Sequence, residues 1–272
     1  MNNSRMIIII IFYISSLVYP YDGEEIQVYL SSELLPESSI WYKDPPDQSE
    51  IKYKLDKQES LRWGKINKTN NLTISINPKI SYQSILGIGT SLEATTIYAI
   101  SKGKTDEQIR QIITLLIDPQ DGLGFNMFRI TIGTSDFSDG RKVSSHPKGF
   151  YTYQDDKENF SIEPDKKTGI IKIIKLVQDV AANLDPPQSI IFFAAPWSPP
   201  AWMKTSEKLI GGTLKKGYEK QYANYLRNFV EAYEDEGIPI YAISMQNEPN
   251  FLPDSYPGMK LSAEQQLDLT IA

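Results

Sequence analysis

From residue 85 onward the sequence alternates short apolar runs with amphipathic stretches, and this alternation limits the possible folds most strongly. Four runs have the length of strands, at residues 85–89, 127–132, 189–195 and 240–245. The third consists almost entirely of Ile, Phe and Ala, which is typical of a strand buried on both faces. Four consecutive strand–helix units predict a parallel sheet with right-handed crossovers.

The helical stretches carry their own boundary signals. Thr105 and Gln108 have the spacing of a capping box, which predicts a helix beginning at that point. Apolar residues at helical spacing predict further helices over 168–184 and 216–236, and Ser262 is predicted to open another. These signals support an α/β fold class.

The sheet could be an open doubly wound sheet or a (β/α)8 TIM-type barrel. No Gly-x-Gly-x-x-Gly turn follows any of the strands, which argues against a nucleotide-binding sheet. Polar and aromatic residues instead follow the strand ends: Asp136 after the second, Trp197 after the third, and Asn247 and Glu248 after the fourth. In a barrel these positions converge on one mouth, so we predict the barrel.

The region before residue 83 differs in character. Residues 1–20 contain Arg5 followed by 14 uncharged residues, which is shorter than a membrane-spanning helix and predicts a signal peptide or an uncleaved N-terminal anchor. The protein is therefore expected to be exported. Residues 21–82 contain strand-like pieces at 26–30, 51–55 and 72–76, which predict a small β side layer. The barrel is predicted over residues 83–272.

Composition narrows the chemistry. The chain has 28 basic and 34 acidic side chains and a net charge of −6, which disfavours nucleic acid as a partner. It contains no cysteine, so disulfides, thiolate metal sites and cysteine nucleophiles are excluded. Its single histidine, His146, excludes a multi-histidine metal site and argues against a Ser-His-Asp hydrolase. We expect carboxylates, amides, hydroxyls and aromatic rings to carry the chemistry, with no metal or organic cofactor.

Glu248 is the candidate catalytic residue. A glutamate at a barrel mouth can act as a general acid when its pKa is raised toward the working pH. The neighbouring Asn247 offers both a donor and an acceptor to a sugar hydroxyl. Cleavage of a glycosidic bond requires two such carboxyl groups. The competing interpretation of Asn-Glu-Pro is a surface turn.

Two further candidates are substrate-binding residues. Trp197 lies in a proline-rich loop, and an indole face stacks well on the C–H face of a sugar. Asp136 could accept hydrogen bonds from two neighbouring hydroxyls. Arg129, inside a strand, is expected to orient a carboxylate, because a buried charge is costly unless paired. Trp202 and Glu93 stay open between a packing or capping role and a role at the mouth.

The motifs Phe128-Arg129, Ser135-Asp136-Phe137-Ser138 and Asn247-Glu248-Pro249 occur in a set order with Pro196-Trp197-Ser198-Pro199-Pro200-Ala201-Trp202-Met203-Lys204-Thr205. This series resembles the glucosylceramidase family, glycoside hydrolase family thirty. The resemblance implies a (β/α)8 barrel with a β side domain and retaining hydrolysis of β-glycosides. It also implies that Glu248 is the acid/base, that Asn247 grips the 2-hydroxyl, and that Asp136 and Trp197 hold the non-reducing sugar.

The resemblance also sets an expectation of incompleteness. The family's nucleophile is a second glutamate after strand 7, whereas the strands recognised here number four, so we expect the N-terminal half of a barrel that is inactive alone. A complementing C-terminal half is then an expected partner. Relatives use glucosylceramide at membrane surfaces, β-1,6-glucan or xylosides, which leaves the sugar and aglycone open. The alternative is a non-catalytic carbohydrate-binding or interaction remnant.

Overall fold

The computed structural model describes residues 25–33, 51–62, 77, 79–138 and 149–272. The chain divides into two compact units, and the boundary between them falls between Ser81 and Tyr82. The predicted leader at 1–20, the strand piece at 72–76 and His146 all lie outside the described residues. Within those ranges, no helix combines the length and apolar character needed to cross a bilayer.

The first unit contains two antiparallel strand pairs among its described residues. Strand β1 (Glu25–Ile26) pairs with β4 (Leu61–Arg62). Strand β2 (Tyr29–Glu33) pairs with β3 (Ile51–Lys57), and the register shifts twice along this pair. Strand residues are therefore present in both described pieces for which the sequence predicted them.

The second unit is built on a parallel sheet of four strands, which confirms the predicted sheet type. The strands are β5 (Gly89–Ser91), β6 (Met127–Ile132), β7 (Ile191–Pro196) and β8 (Ile240–Ile243), in that spatial order. Neighbouring strands in the sheet are thus also neighbours in the chain, as expected of successive strand–crossover–strand units. Their carboxyl ends all lie at one edge of the sheet.

The first predicted strand, at 85–89, was wrong in position, because the strand begins only at Gly89. The preceding apolar side chains are largely exposed, with Ile85 at 78% and Ile88 at 67%. Gly89 permits the start, since a Cβ on this residue would lie 1.5 Å from the carbonyl oxygen of Met127 on β6. The apolar run therefore lies just before the strand, and the strand itself begins at the glycine.

Six α-helices cover the sheet in the described part of the second unit. Their bounds are α1 Ala94–Ser101, α2 Asp106–Ile117, α3 Glu163–Thr168, α4 Ile170–Ala182, α5 Glu219–Asp235 and α6 Ala263–Ile271. The helix predicted over 168–184 is in fact α4 alone, because Gly169 has a φ of +85° and separates it from α3. The capping box at Thr105 and Gln108 is present, and Ser262 forms a second box with Gln265.

The core lies between the sheet and the helices. The central strands contribute Phe128, Ile130 and Phe192, all essentially inaccessible to solvent. Helix α5 contributes a row of aromatic side chains that are likewise buried: Tyr222, Tyr225, Phe229 and Tyr233. Burial of these rings, together with the aliphatic side chains of the core, stabilises this unit.

The outer strands β5 and β8 are less well covered than the central pair. On β8, Tyr241 is 64% exposed and Ala242 is also exposed, whereas Phe192 and Ala194 on β7 are buried. An uncovered outer strand presents unpaired backbone groups that can pair with another chain. Among the described residues, β8 is therefore an outer strand of a kind that can pair with another chain.

We expect the 272-residue polypeptide to associate as its concentration rises, and the Tyr241→Lys substitution to weaken this association several-fold. A lysine on an edge strand opposes edge-to-edge pairing through its charge. Sedimentation velocity over a concentration series would measure the effect. Leu115→Lys is the matched control, because Leu115 is 58% exposed on α2, away from the sheet edge. Equal effects of the two substitutions would contradict the edge explanation.

Candidate active site

The loops after β7 and β8 are joined by hydrogen bonds at the carboxyl edge of the sheet. The backbone N–H of Asn247 donates to the carbonyl oxygen of Pro196 at 2.8 Å. The side-chain amide of Gln246 donates to the carbonyl oxygen of Trp197 at 2.6 Å. These bonds hold two of the predicted site residues, Asn247 and Trp197, next to each other.

Arg129 connects both of them to the central strand β6. Its Nη2 donates to Oδ1 of Asn247 at 2.6 Å, and its Cζ lies 4.5 Å from the centre of the Trp197 ring, in cation–π geometry. Arg129 was expected to orient a carboxylate; its described hydrogen bond goes to the amide of Asn247, while its charge acts on the carboxyl of Glu93. The consequence is a fixed amide orientation: Oδ1 of Asn247 is occupied, and its Nδ2 is turned toward Glu248, 3.4 Å from Oε2.

The indole N–H of Trp197 is a buried hydrogen-bond donor without a described partner. Its side chain is only 4% exposed, yet its indole Nε1 has no hydrogen-bond partner within the described part of the chain. Buried polar groups are nearly always paired, so an unpaired donor calls for an explanation. Trp197 lines a small depression, whose other lining residues are Asn247, Glu248, Phe251, Pro253, Tyr256, Pro257 and Gly258.

Glu248 lies in the same depression and is exposed. Its backbone has a φ of +46°, in the left-handed region that residues other than glycine rarely adopt. This conformation costs roughly 1–2 kcal/mol. Backbone strain of this kind clusters at functional sites, where the surrounding structure holds it in place. Lys157 and Glu207 also have a positive φ among the described residues, but of these three only Glu248 lines the depression.

Tyr256 lines the same depression as Glu248. Its pKa is raised above 10.0, first by burial and then by the negative charges of Glu248, Asp136 and Asp254. The charges of two predicted site residues, one after β6 and one after β8, therefore reach the same phenol. Sequence reasoning missed Tyr256, although a tyrosine in the loop after the last strand was the available signal.

Glu93 supports the loop that carries Asp136. Its side chain is 3% exposed, forms no cap on α1, and accepts a hydrogen bond from the hydroxyl of Ser135. Burial raises its pKa and the charge of Asp136 raises it further, while hydrogen bonds from Ser135 and Ser91 and the charge of Arg129 lower it. Glu93 thus occupies the N-cap position of α1, one of the two alternatives left open, but its side chain bonds Ser135 instead of capping the helix.

Trp202 has a packing role. Its Nε1 donates to the carbonyl oxygen of Gln154 at 2.8 Å, and its ring meets that of Tyr218 edge-on at 6.0 Å. Its indole N–H and part of its ring are thus in contact with protein. Across the described ranges, no three His, Asp or Glu side chains are placed to hold a metal ion.

Curated proteins of similar sequence are glycosidases. The chain is 27% identical to putative glucosylceramidase 3 of Caenorhabditis elegans over 87% of its own length and 44% of that protein. It is 28% identical to an endo-1,6-β-D-glucanase of Neurospora crassa, over 75% of its length and 41% of the relative. The chain thus spans less than half the length of these relatives.

A solved structure of a glycosidase is also similar to this chain. The structure of an endo-β1,6-glucanase superposes with a TM-score of 0.62 and 29% identity, over 81% of this chain and 45% of that one. Residues 85–271 match the model described as the glycosyl hydrolase family 30 TIM-barrel domain, which confirms the predicted fold class. The four parallel strands and their site residues all lie inside that match, and the chain therefore belongs to glycosyl hydrolase family 30.

Proposed function

We propose that this chain contributes the acid/base half of a retaining β-glycosidase, with Glu248 as the acid/base. The observation that carries the proposal is the shared depression in which Glu248, Asn247 and Trp197 meet. These residues come from two different loops, and Arg129 of β6 contacts two of them. A surface turn, the competing interpretation of Asn-Glu-Pro, would not require the hydrogen bond between Asn247 and the half-buried Arg129.

The proposed mechanism uses Glu248 twice. Its carboxyl group donates a proton to the glycosidic oxygen as the bond to the leaving group breaks, and its carboxylate later removes a proton from the attacking water. The exposure of Glu248 gives both the leaving group and water access to it. Asn247 supplies the 2-hydroxyl contact through Nδ2, because Arg129 already occupies its Oδ1.

The proposed sugar site is formed by Trp197 and Asp136. The indole N–H of Trp197 is the buried donor without a protein partner, and a sugar hydroxyl is an acceptor that suits it. Asp136 is exposed and available to accept from neighbouring hydroxyls. The same two residues would also serve a carbohydrate-binding protein without catalysis, the second candidate function.

We expect a β-glucoside to change the tryptophan fluorescence of the chain, and Trp197→Phe to abolish this change. The indole senses the ligand directly, because it would stack on the sugar and donate to it. Trp202→Phe is the matched control, since Trp202 is held by Gln154 and Tyr218 outside the depression. A fluorescence change that survives in Trp197→Phe and disappears in Trp202→Phe would contradict the assigned site.

Turnover requires a second carboxylate, which we propose is supplied by a complementing C-terminal half of the barrel domain. This proposal is supported by the lengths of the relatives, which are more than twice as long as the part of them that this chain spans. The relatives named glucosylceramidase and endo-1,6-β-glucanase favour a β-glucoside substrate, on a glycolipid or a glucan. Export, with the segment at 1–20 as leader or anchor, remains part of the proposal.

A further inference from the structure

Lys204 is a buried cation that the proposed chemistry does not use. Its side chain is inaccessible to solvent, and burial lowers its pKa from 10.5 to about 7. An ammonium group is costly to remove from water unless its N–H groups are satisfied. The described hydrogen bonds of this group go to neutral oxygens, with no carboxylate among them. A group placed at such a cost needs a reason.

The three acceptors belong to three different segments. Nζ of Lys204 donates to Oγ of Ser198 at 2.9 Å, to the carbonyl oxygen of Leu209 at 2.5 Å and to that of Gly258 at 2.8 Å. Ser198 follows Trp197 directly, and Gly258 is itself part of the lining of the depression. One ammonium group therefore joins the loop after β7 to the loop after β8, with residues 205–214 between them.

Backbone hydrogen bonds also connect these segments, in addition to the bond between Asn247 and Pro196 described above. The N–H of Gly258 donates to the carbonyl oxygen of Leu209 at 3.1 Å, and that of Lys260 donates to Gly212 at 3.0 Å. Residues 205–214 and 249–258 contain no described helix or strand. Segments with little regular structure open locally at low free-energy cost unless other contacts hold them. Lys204 supplies such contacts.

We propose that Lys204 is a positioning residue, which fixes the loops after β7 and β8 against each other and so gives the sugar-binding depression its shape. Its fastening role stands on the three hydrogen bonds alone. Its effect on sugar binding rests on the proposed function, because Trp197 and Gly258 lie on the two segments that it joins. Lys204 itself lies behind the lining and does not touch the proposed sugar.

The test compares Lys204→Met with the intact chain by amide hydrogen exchange and by glucoside titration of tryptophan fluorescence. The exchange is measured at about pH 6, below the pKa of Lys204, where the ammonium form predominates. A hydrogen bond to a charged group contributes about 1.5–3 kcal/mol, so we expect the amides of Gly258 and Lys260 to exchange at least about tenfold faster. The amides of α4 should be unchanged, and the glucoside affinity should fall. Lys215→Met is the matched control, since Lys215 lies close by but pairs with the exposed Glu207.

The outcomes separate the two proposals. Unchanged exchange at Gly258 and Lys260 in Lys204→Met would overturn the fastening role, whether or not the intact chain binds glucosides. Faster exchange there, in a chain that binds no glucoside, would support the fastening role and count against the proposed function. If Lys204→Met also accelerates α4, the milder Ser198→Ala decides. This substitution removes one of the three acceptors. Exchange rates at Gly258 and Lys260 that are equal in the Ser198→Ala variant and the intact chain would refute the proposal.

Discussion

Replacing Glu248 with Gln is expected to lower β-glucoside hydrolysis by about 100- to 10,000-fold in the protein assembled with a complementing C-terminal half. Positioned general acids contribute an effect of this size, and glutamine keeps the shape of the side chain without the proton. The loss should be smaller for aryl glucosides with very acidic phenols, because such leaving groups depart without protonation. Initial rates on alkyl and aryl glucosides would measure both effects.

Two controls accompany this experiment. Glu264→Gln changes an exposed glutamate near the start of α6 and should leave the rate unaltered. The 272-residue chain without its complement should show no turnover, since the mechanism requires a second carboxylate. Hydrolysis by the chain alone would refute the proposed split of the active site. An assembled Glu248→Gln protein with an unaltered rate on alkyl glucosides would exclude Glu248 as the acid.

The second large effect concerns Asp165, a carboxyl group on α3 that is wholly buried. It accepts hydrogen bonds from Tyr151 at 2.7 Å, from Tyr153 at 2.6 Å and from Tyr233. Burial raises its pKa from 3.8 to about 6, although the three hydroxyls lower it. Tyr151 and Tyr153 follow the loop that carries Asp136, and Tyr233 lies on α5. The cluster therefore anchors one side of the proposed site to the core.

We expect the intact chain to gain about 3 kcal/mol of stability relative to Asp165→Asn as the pH falls from 8 to below 4. The folded protein binds this proton more tightly than the unfolded chain does, so protonation stabilises the fold between the two pKa values. A shift from 3.8 to about 6 corresponds to that free energy. Urea unfolding of both proteins across this pH range would measure the difference.

Comparison with the asparagine variant isolates this group from every other carboxylate. Asp179→Asn is a suitable control, because Asp179 forms an ion pair with Arg110 that is about half exposed. Such surface pairs contribute at most about 1 kcal/mol. A stability difference between the intact chain and Asp165→Asn that does not vary with pH would contradict the assignment.

The sheet and the helix starts could be read from local patterns. Strand β6 was predicted at its observed bounds because Met127 to Ile132 is a compact apolar run. The capping box at Thr105 was visible because its two residues lie three positions apart and bond to each other. The division between α3 and α4 was not visible in the sequence, because it depends on the left-handed conformation of Gly169 and not on apolar spacing.

The candidate site was only partly predictable. Glu248, Asn247, Trp197 and Asp136 stood out because each follows a strand, and parallel strands bring their ends together. The contact of Arg129 with Asn247 was not predicted, because the two residues lie 118 positions apart in the chain. Neither Tyr256 nor Lys204 was among the predicted site residues. Their importance depends on which side chains approach them in space.

The sequence by itself determined the parallel order of strands, the helix caps and the residue types available at the strand ends. These follow from periodicity and hydrogen bonds over a few residues. Only the tertiary structure decided that Glu93 and Asp165 are buried acids and that Trp197 keeps an unpaired donor. It also decided that one ammonium group joins three segments. Burial and long-range contacts set these properties, and both depend on residues far apart in the chain.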